Sequence, residues 1–537
     1  MSRSFNGCTR CKARRQKCDE QRPSCGRCQH AGVECKYSMQ LQWGGRAFSR
    51  SRFGACVGTG GMQKLGLEYS PGEFIYTTKS GNTEAQTTIQ TLSQFQSPSP
   101  PPHQLQPQSQ SLIIQEREQP SSSELVLAQY VDPFLSLTSR QKNLLHHFIN
   151  DASQITASHP GMQQDICRML VPMALQTPSL LYATTALSAI HLQALQNQSE
   201  SVKSAPDIAQ LMGLSLTHFQ KELQTPLNNG LEALVATART LCLAEIHSGA
   251  INPNSWRAHI EGARALMKTS DARKSSLRPV NGFRRYLDRW YRSIVSLTAL
   301  TGNGPPIGDD SDFTTSDLEG QGGSPDYLDD YWGFSVDLAS VFRQIGAAAW
   351  RINQAEKNAT GFIESEIESN IEDEAELLEL SVRQLMDRGP DSQPSLYPGS
   401  ADRLSAESVR QLMLCNEAFQ HSALIQIHKR LRKTPSTSAN VQHSVQRILE
   451  CTAQIGPSSG LSPWVMLTTP LFIAGCEARG EDRDIVKGLL TSLHDTIRVP
   501  NVLQSLRFLE HYWENKMSED ENWNHFLDRM KFDFIPY

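Results

Sequence analysis

Six of the twelve cysteines in this 537-residue chain fall within residues 8–35, in the stretch CTRCKARRQKCDEQRPSCGRCQHAGVEC. The spacing is Cys8-x2-Cys11-x6-Cys18-x6-Cys25-x2-Cys28-x6-Cys35, so one C-x2-C-x6-C pattern occurs twice, with His30 the only histidine among them. The other cysteines, at 56, 167, 242, 415, 451 and 476, stand singly. Each half offers three thiolates where a tetrahedral zinc takes four ligands, so neither half closes a site alone. Two zinc ions set between the halves present eight coordination positions, which six sulfurs fill if two of them bridge. Cys8 and Cys25 hold equivalent places in the repeat and are the expected bridges. Cys8, Cys11, Cys18 and Cys25 would surround one ion, and Cys8, Cys25, Cys28 and Cys35 the other.

A three-disulfide knot would need an oxidising compartment, and RING-like or two-Cys-two-His folds would use histidine or longer spacings. The opening MSRSFNGCTRCKARRQK has no apolar core behind its basic residues, which argues against a secretory signal or anchor and for reduced thiols. A unit of fewer than about 40 residues has too little apolar surface to fold unaided. Each structural zinc contributes on the order of 10 kcal/mol, so the segment is expected to be unfolded without metal. Six thiolates and two Zn2+ leave a core charge of −2 for nearby Arg and Lys to offset.

The charge is polarised. Residues 1–52 hold twelve Lys/Arg against three Asp/Glu, whereas residues 53–537 hold 39 against 53. A basic end on an acidic body suggests that the first part meets a polyanion. The asymmetry continues inside the repeat. Lys12-Ala13-Arg14-Arg15-Gln16-Lys17 carries +4 between the second and third cysteines, while the equivalent Gln29-His30-Ala31-Gly32-Val33-Glu34 carries −1. A six-residue spacer suits a short helix, arginine can pair bidentately with guanine O6 and N7, and lysine can serve a base edge or a phosphate. The first half is therefore the expected DNA-facing half; a solvated face or a nuclear-import signal is the plainer alternative.

Residues 7–38, with GCTRCKARRQKCD, Pro23 two residues before Cys25, and the exit ECKYS, resemble the fungal binuclear zinc cluster transcription factors. The resemblance implies that Lys12, Arg14, Arg15 and Lys17 meet DNA, with Arg15 at the position that reads a CGG triplet; Arg10 completes the basic set of this half. It implies a nuclear regulator of RNA polymerase II genes, with an activator the expectation, and a loop proline, often cis, at Pro23.

The chain divides at residues 39 and 123 into a zinc cluster (1–39), a flexible Gly/Ser/Gln/Pro-rich linker (40–123) and a large all-α domain (124–537). Arg46, Arg50 and Arg52 read equally well as phosphate contacts, an import signal or a solvated arm. A dimerising coiled coil needs apolar residues at a 3.5 period over several heptads, and none follows the cluster; any homodimer would form through the large domain. Residues 93–123 include eight Ser, eight Gln and six Pro among 31 residues, too polar to offset chain entropy by burial.

Beyond residue 124 apolar residues recur at helical period, as in Leu231, Leu234, Val235, Ala238, Leu241, Cys242 and Ile246. Further helices are expected near 138–156, 179–196, 207–223, 255–268, 283–300, 336–355, 363–387, 404–432, 440–454 and 482–496. NSWRAHIEGARALM, RYLDRWYRSIVSLTAL and TPLFIAGCEARGEDRD resemble the regulatory domain of one branch of the same regulators. That resemblance implies effector sensing by a small molecule, self-association, or contact with coactivators.

Residues 303–342 contain nine Asp/Glu and no Lys or Arg around DYLDDYWGF. Tyr327, Tyr331, Trp332 and Phe334 there read either as a solvated activation segment awaiting a coactivator groove or as an ordinary acidic surface loop. Residues 363–380 read as an acidic surface helix. No run of about 18 apolar residues could span a bilayer. Asp309-Asp310-Ser311-Asp312 fails the terpenoid cyclase pattern at Phe313, and no G-x-S-x-G, H-E-x-x-H or Walker motif occurs. The competing class is an all-α enzyme or scaffold that uses its zinc module for protein contacts.

Overall fold

The computed structural model describes residues 8, 10, 11, 14, 16, 18, 19, 21, 24–33 and 35. From residue 137 onward it describes all but 197, 225–230, 250–254, 274–281, 303, 309–325, 359–363, 389–394, 459–460, 519–520 and 531–533. The expected linker at 40–123 lies outside the described residues.

The amino-terminal segment contributes one short helix, α1 (Gly26–His30). The large domain opens on α2 (Ser139–His147), where Thr138 and Gln141 form a reciprocal capping box. A π turn (Phe148–Ala152) and a 3-10 turn (Gln154–Thr156) follow, so the continuous helix expected over 138–156 is broken in two places. Next come α3 (Pro160–Gln176) and α4 (Pro178–Leu195), each begun by a proline at a position that needs no N–H. The order continues through α5 (Gln198–Gln224), α6 (Leu231–His247), α7 (Ser255–Arg273) and α8 (Gly282–Thr301). A two-residue strand, β1 (Tyr327–Leu328), precedes α9 (Val336–Asn358) and α10 (Glu364–Met386). Its parallel partner β2 (Ser395–Leu396) pairs Tyr327 with Ser395 and Leu328 with Leu396. After it come α11 (Ala406–Gln426), running into a π turn at Ile427–Leu431, and α12 (Ala439–Ile455). The chain finishes with α13 (Thr468–Glu477), α14 (Glu481–Ile497), α15 (Pro500–Asn515) and α16 (Trp523–Met530).

Three helices form the interior because their sequences have no polar stripe to expose. All ten residues of α13 are buried, as are most of those of α4 and α6. Of these, α4 and α6 pack on each other, and amphipathic helices sheathe the interior: α5 lies against α4, α7 covers α6, and α12, α14 and α15 surround α13. In parallel, α9 lies between α8 and α10. Residues 364–380 of the acidic stretch form the first part of α10, whose inner face is Ala375, Leu378, Val382 and Leu385; Leu377 points outward at 65% exposure. Among the described residues no helix is long and apolar enough to cross a membrane.

Candidate metal centre and nucleic-acid interface

The six cysteines converge into two overlapping sets of four. Within each set the sulfurs all lie within 4.8 Å of one another; Cys8, Cys11, Cys18 and Cys25 form one set, and Cys8, Cys25, Cys28 and Cys35 the other. Cys8 and Cys25 belong to both, as their equivalence in the repeat predicts. The Sγ separations are 3.7 Å for Cys8 to Cys25, 3.6 Å for Cys8 to Cys28 and 3.8 Å for Cys11 to Cys25. Sulfurs at about 2.3 Å from a tetrahedral zinc are about 3.8 Å apart, whereas a disulfide would hold them at about 2.05 Å. The donor set thus fits two zinc ions, and all six thiols are unpaired by disulfides.

Backbone hydrogen bonds repeat with the cysteines. Cys8 N donates to Cys18 Sγ at 3.5 Å, and Cys25 N to Cys35 Sγ at 3.3 Å. Cys11 N donates to Cys8 Sγ at 3.5 Å, and Cys28 N to Cys25 Sγ at 3.4 Å. Each lobe therefore aims the same N–H groups at its sulfurs, offsetting part of the thiolate charge. Burial pushes the Cys8 thiol up to about 12 and raises Cys25 further, while the Cys25 N–H brings Cys35 down to about 7. Zinc must displace protons from the two bridges in order to bind.

The lobes differ in what surrounds this scaffold. In the second, Cys25 caps α1 and Asp19 Oδ2 accepts from Gly26 N at 2.9 Å. The helix therefore straddles Cys28 instead of filling the six-residue spacer expected to form it. In the first, Arg14 N donates to Arg10 O at 3.1 Å, closing a helical turn, and the Arg14 side chain is exposed. Arg10 is half-buried, and its Nη1 donates to Arg27 O at 3.1 Å and lies 4.0 Å from Cys28 Sγ. One nitrogen of the Arg10 guanidinium thus ties the first lobe to the second and lies beside a cluster sulfur. Arg27 Nη1 donates to Gln16 Oε1 at 3.2 Å, a second tie. Lys12, Arg15, Lys17 and Pro23 lie outside the described residues.

Two overlapping four-sulfur sites in paired lobes, one of them basic in sequence, followed by a helical body, have the architecture of a DNA-binding regulator. The fungal Zn(2)-Cys(6) binuclear cluster domain matches residues 6–44 and the fungal specific transcription factor domain matches residues 143–536, so the chain belongs to the fungal Zn(2)-Cys(6) transcription factors. It is a transcription regulator and not an enzyme, and its cluster domain binds two zinc ions. The chain is 24% identical to the pestheic acid cluster transcriptional regulator 3 of Pestalotiopsis fici over 621 aligned positions, covering 100% of this chain and 99% of the relative. Over 35 residues, 6% of each chain, it is 61% identical to the aspercryptin biosynthesis cluster-specific transcription regulator of Emericella nidulans. It is 42% identical over 41 residues to the thiamine biosynthesis regulatory protein of Saccharomyces cerevisiae, covering 8% of this chain and 9% of the relative. No solved structure matches the chain.

The acidic aromatic group is not solvated. Tyr327, Tyr331, Trp332 and Phe334 are all buried, at 3%, 6%, 8% and 3% exposure, so they are not free to enter a coactivator groove. Their acids have internal partners. Arg289 donates through Nε to Asp329 Oδ2 at 2.9 Å and through Nη2 to both Asp329 and Asp330, and Asp330 Oδ2 lies 2.8 Å from His159 Nε2. The guanidinium is sandwiched between the Tyr331 and Tyr397 rings, 3.7 and 3.8 Å from their centroids. Phe334 packs edge-on against Phe419 at 4.9 Å. DYLDDYWGF is thus a clasp that joins α3, α8 and α11. Its acidity answers Arg289, 40 residues upstream.

Proposed function

We propose that the first lobe of the cluster reads CGG-type triplets in the major groove, with Lys12, Arg14, Arg15, Lys17 and Arg10 as the DNA-facing residues and Arg15 as the base reader. The observation that carries this is the contrast between two lobes that share one sulfur and N–H scaffold but carry +4 and −1 between their second and third cysteines. A rigid body with one cationic side is what groove reading requires; an import signal needs no such rigidity. The protein then acts in the nucleus on RNA polymerase II genes, as an activator. On this reading residues 1–39 bind DNA, 40–123 tether, and 124–537 form the regulatory body, which takes up a small-molecule effector, contacts coactivators or self-associates.

The test is competition between a CGG duplex and a scrambled duplex for the full-length, zinc-loaded chain. Arg15→Ala should narrow the preference by about 1–3 kcal/mol, roughly 5- to 150-fold, at constant salt. Equal weakening on both duplexes would make Arg15 a phosphate contact and overturn its assignment as the reader.

A further inference from the structure

The buried cations of the helical domain differ in what opposes their charge. Arg289 has two carboxylates. Lys429, 3% exposed, lies 3.4 Å from a carboxylate oxygen of Glu477 and donates to Thr434 O and Ser436 Oγ at 3.0 and 3.1 Å. Its neighbour Arg430 is 6% exposed, and among the described residues no acid pairs with it. Instead it caps the end of α8: Nη1 donates to Ala299 O and Leu300 O at 3.0 and 2.8 Å, and Nη2 to Gly302 O at 2.7 Å. Carbonyls at a helix end present about half a negative charge, so part of the cation stays unopposed. Burial brings this guanidinium down to about 10, and it remains charged at neutral pH.

Arg430 also borders open space. It lines a cleft of about 230 Å3 between α9, the π turn at Ile427–Leu431 and the start of α16. Its Nε takes part in none of the carbonyl bonds and is not sealed in the interior. A guanidinium has five N–H donors, so Nε and one hydrogen of Nη2 remain for an occupant. Ala349 and Ile352 give the cleft an apolar wall, and Asn353 and His525 give it polar groups. The other charges of the wall are already paired: Glu356 with Lys433 at 2.7 Å, Glu521 with Arg529 at 3.1 Å, and Lys429 with Glu477. Arg430 is the charge left over.

Room and charge together define what fits. The cleft is smaller than the roughly 300–1,000 Å3 of sites for drug-sized ligands, which restricts an occupant to a short molecule. Two neighbouring donors on a planar cation match the two oxygens of a carboxylate. Glu356 and Glu521 on the same wall disfavour a second negative charge, which selects a monoanion over phosphate or a dicarboxylate. We infer that this cleft binds a short aliphatic monocarboxylate, its carboxylate on Arg430, its chain against Ala349 and Ile352, and a hydroxyl, where it has one, toward Asn353 and His525. This deepens the effector-sensing reading of the helical domain and rests on it.

The experiment titrates the full-length zinc-loaded chain, without DNA, with butyrate, 3-hydroxybutyrate and 2-hydroxy-4-methylpentanoate. Uncharged butyramide, succinate and inorganic phosphate are the comparisons, and calorimetry and thermal unfolding are the readouts. At least one monocarboxylate should bind with a Kd below about 1 mM and raise the unfolding temperature, at least about tenfold more tightly than any comparison compound. Arg430→Lys should weaken it about tenfold or more, because the fork is lost. That variant also gives up carbonyl bonds and can fail to fold, so the deciding variant is Asn353→Phe, which fills the cleft and leaves Arg430 in place. It should fold as the native chain does and lose the ligand about tenfold or more. If no monocarboxylate binds below about 10 mM, or butyramide, succinate or phosphate binds as tightly, the site is refuted. Equal binding by native and Asn353→Phe chains places the ligand elsewhere, which sinks the site and leaves effector sensing standing. Binding that Asn353→Phe abolishes, but that leaves DNA affinity unchanged at constant salt, supports the site and sinks the effector reading.

Discussion

Replacing Arg289 with methionine removes the cation on which two buried carboxylates depend. Asp329 and Asp330 are 7% and 0% exposed. Breaking a buried ion pair from one side costs about 3–5 kcal/mol, and loss of a desolvated cation between two rings adds about 2 kcal/mol. The sum lies near 5 kcal/mol once methionine packing is credited. An all-α body of about 400 residues unfolds with roughly 0.8 kcal/mol/K of entropy, so the midpoint should fall by about 6 °C. The assay is calorimetric unfolding of full-length Arg289→Met beside the same variant carrying Asp329→Asn and Asp330→Asn. The amides remove the orphaned charges and should restore most of the loss. The acid limb gives a second reading. Burial pushes the Asp330 carboxyl up, but Arg289 and the His159 bond outweigh it and hold it well below the usual carboxylate range. A depressed folded value contributes stability that is full above pH 3.8 and is lost as pH falls below it. The gap between native and Arg289→Met chains should therefore narrow below about pH 4. A midpoint shift under about 1 °C, or no recovery with the amides, would show that the clasp is held by ring packing and not by charge.

Two further predictions address the cluster and the interior. Cys25→Ala should abolish both zinc sites, whereas Cys35→Ala should spare the first; elemental analysis finding one zinc per chain in Cys25→Ala would refute the bridge. Burial pushes the Glu245 carboxyl from 4.5 up to about 7, so the folded state holds this proton more tightly and loses stability as pH rises through that window. Glu245→Gln should therefore gain on the native chain from about pH 4.5 to about pH 8, by up to about 3 kcal/mol; a difference independent of pH would rule this out.

The cluster was legible because its ligand count and spacing leave few solutions, and the observed sets of four sulfurs are those the repeat demands. Helices with one wet face were legible for a related reason: α8, α9, α10 and α12 carry apolar residues at a 3.6 period, which survives as a pattern along the chain. What escaped was whatever lacks that alternation. The segment TTPLFIAGCE, which forms α13, is buried on every side and has no polar stripe to set a period. Pro172 sits inside α3 and reads as a breaker, though only one N–H is lost and the helix runs on to Gln176. The helix α15 follows α14 after Arg498, a non-glycine residue at φ 53°, so the break between them lacks its usual glycine. A pair of two-residue strands 68 positions apart carries no local signal.

Charge misled where its partners were distant in sequence. In DYLDDYWGF the density of acids suggests solvent, because Arg289 lies 40 positions before Asp329 and His159 lies 171 before Asp330. One local sign was available. Arg289 stands three residues after Tyr286 and four before Ser293, on the buried stripe of α8, where a cation requires an acid from another element. At shorter range, Arg10 belongs in sequence to the cationic lobe, and in space its Nη1 donates to Arg27 O and lies 4.0 Å from Cys28 Sγ of the other. The rule that joins these cases is that a charged residue's surroundings are decided by whether the fold supplies its counter-charge.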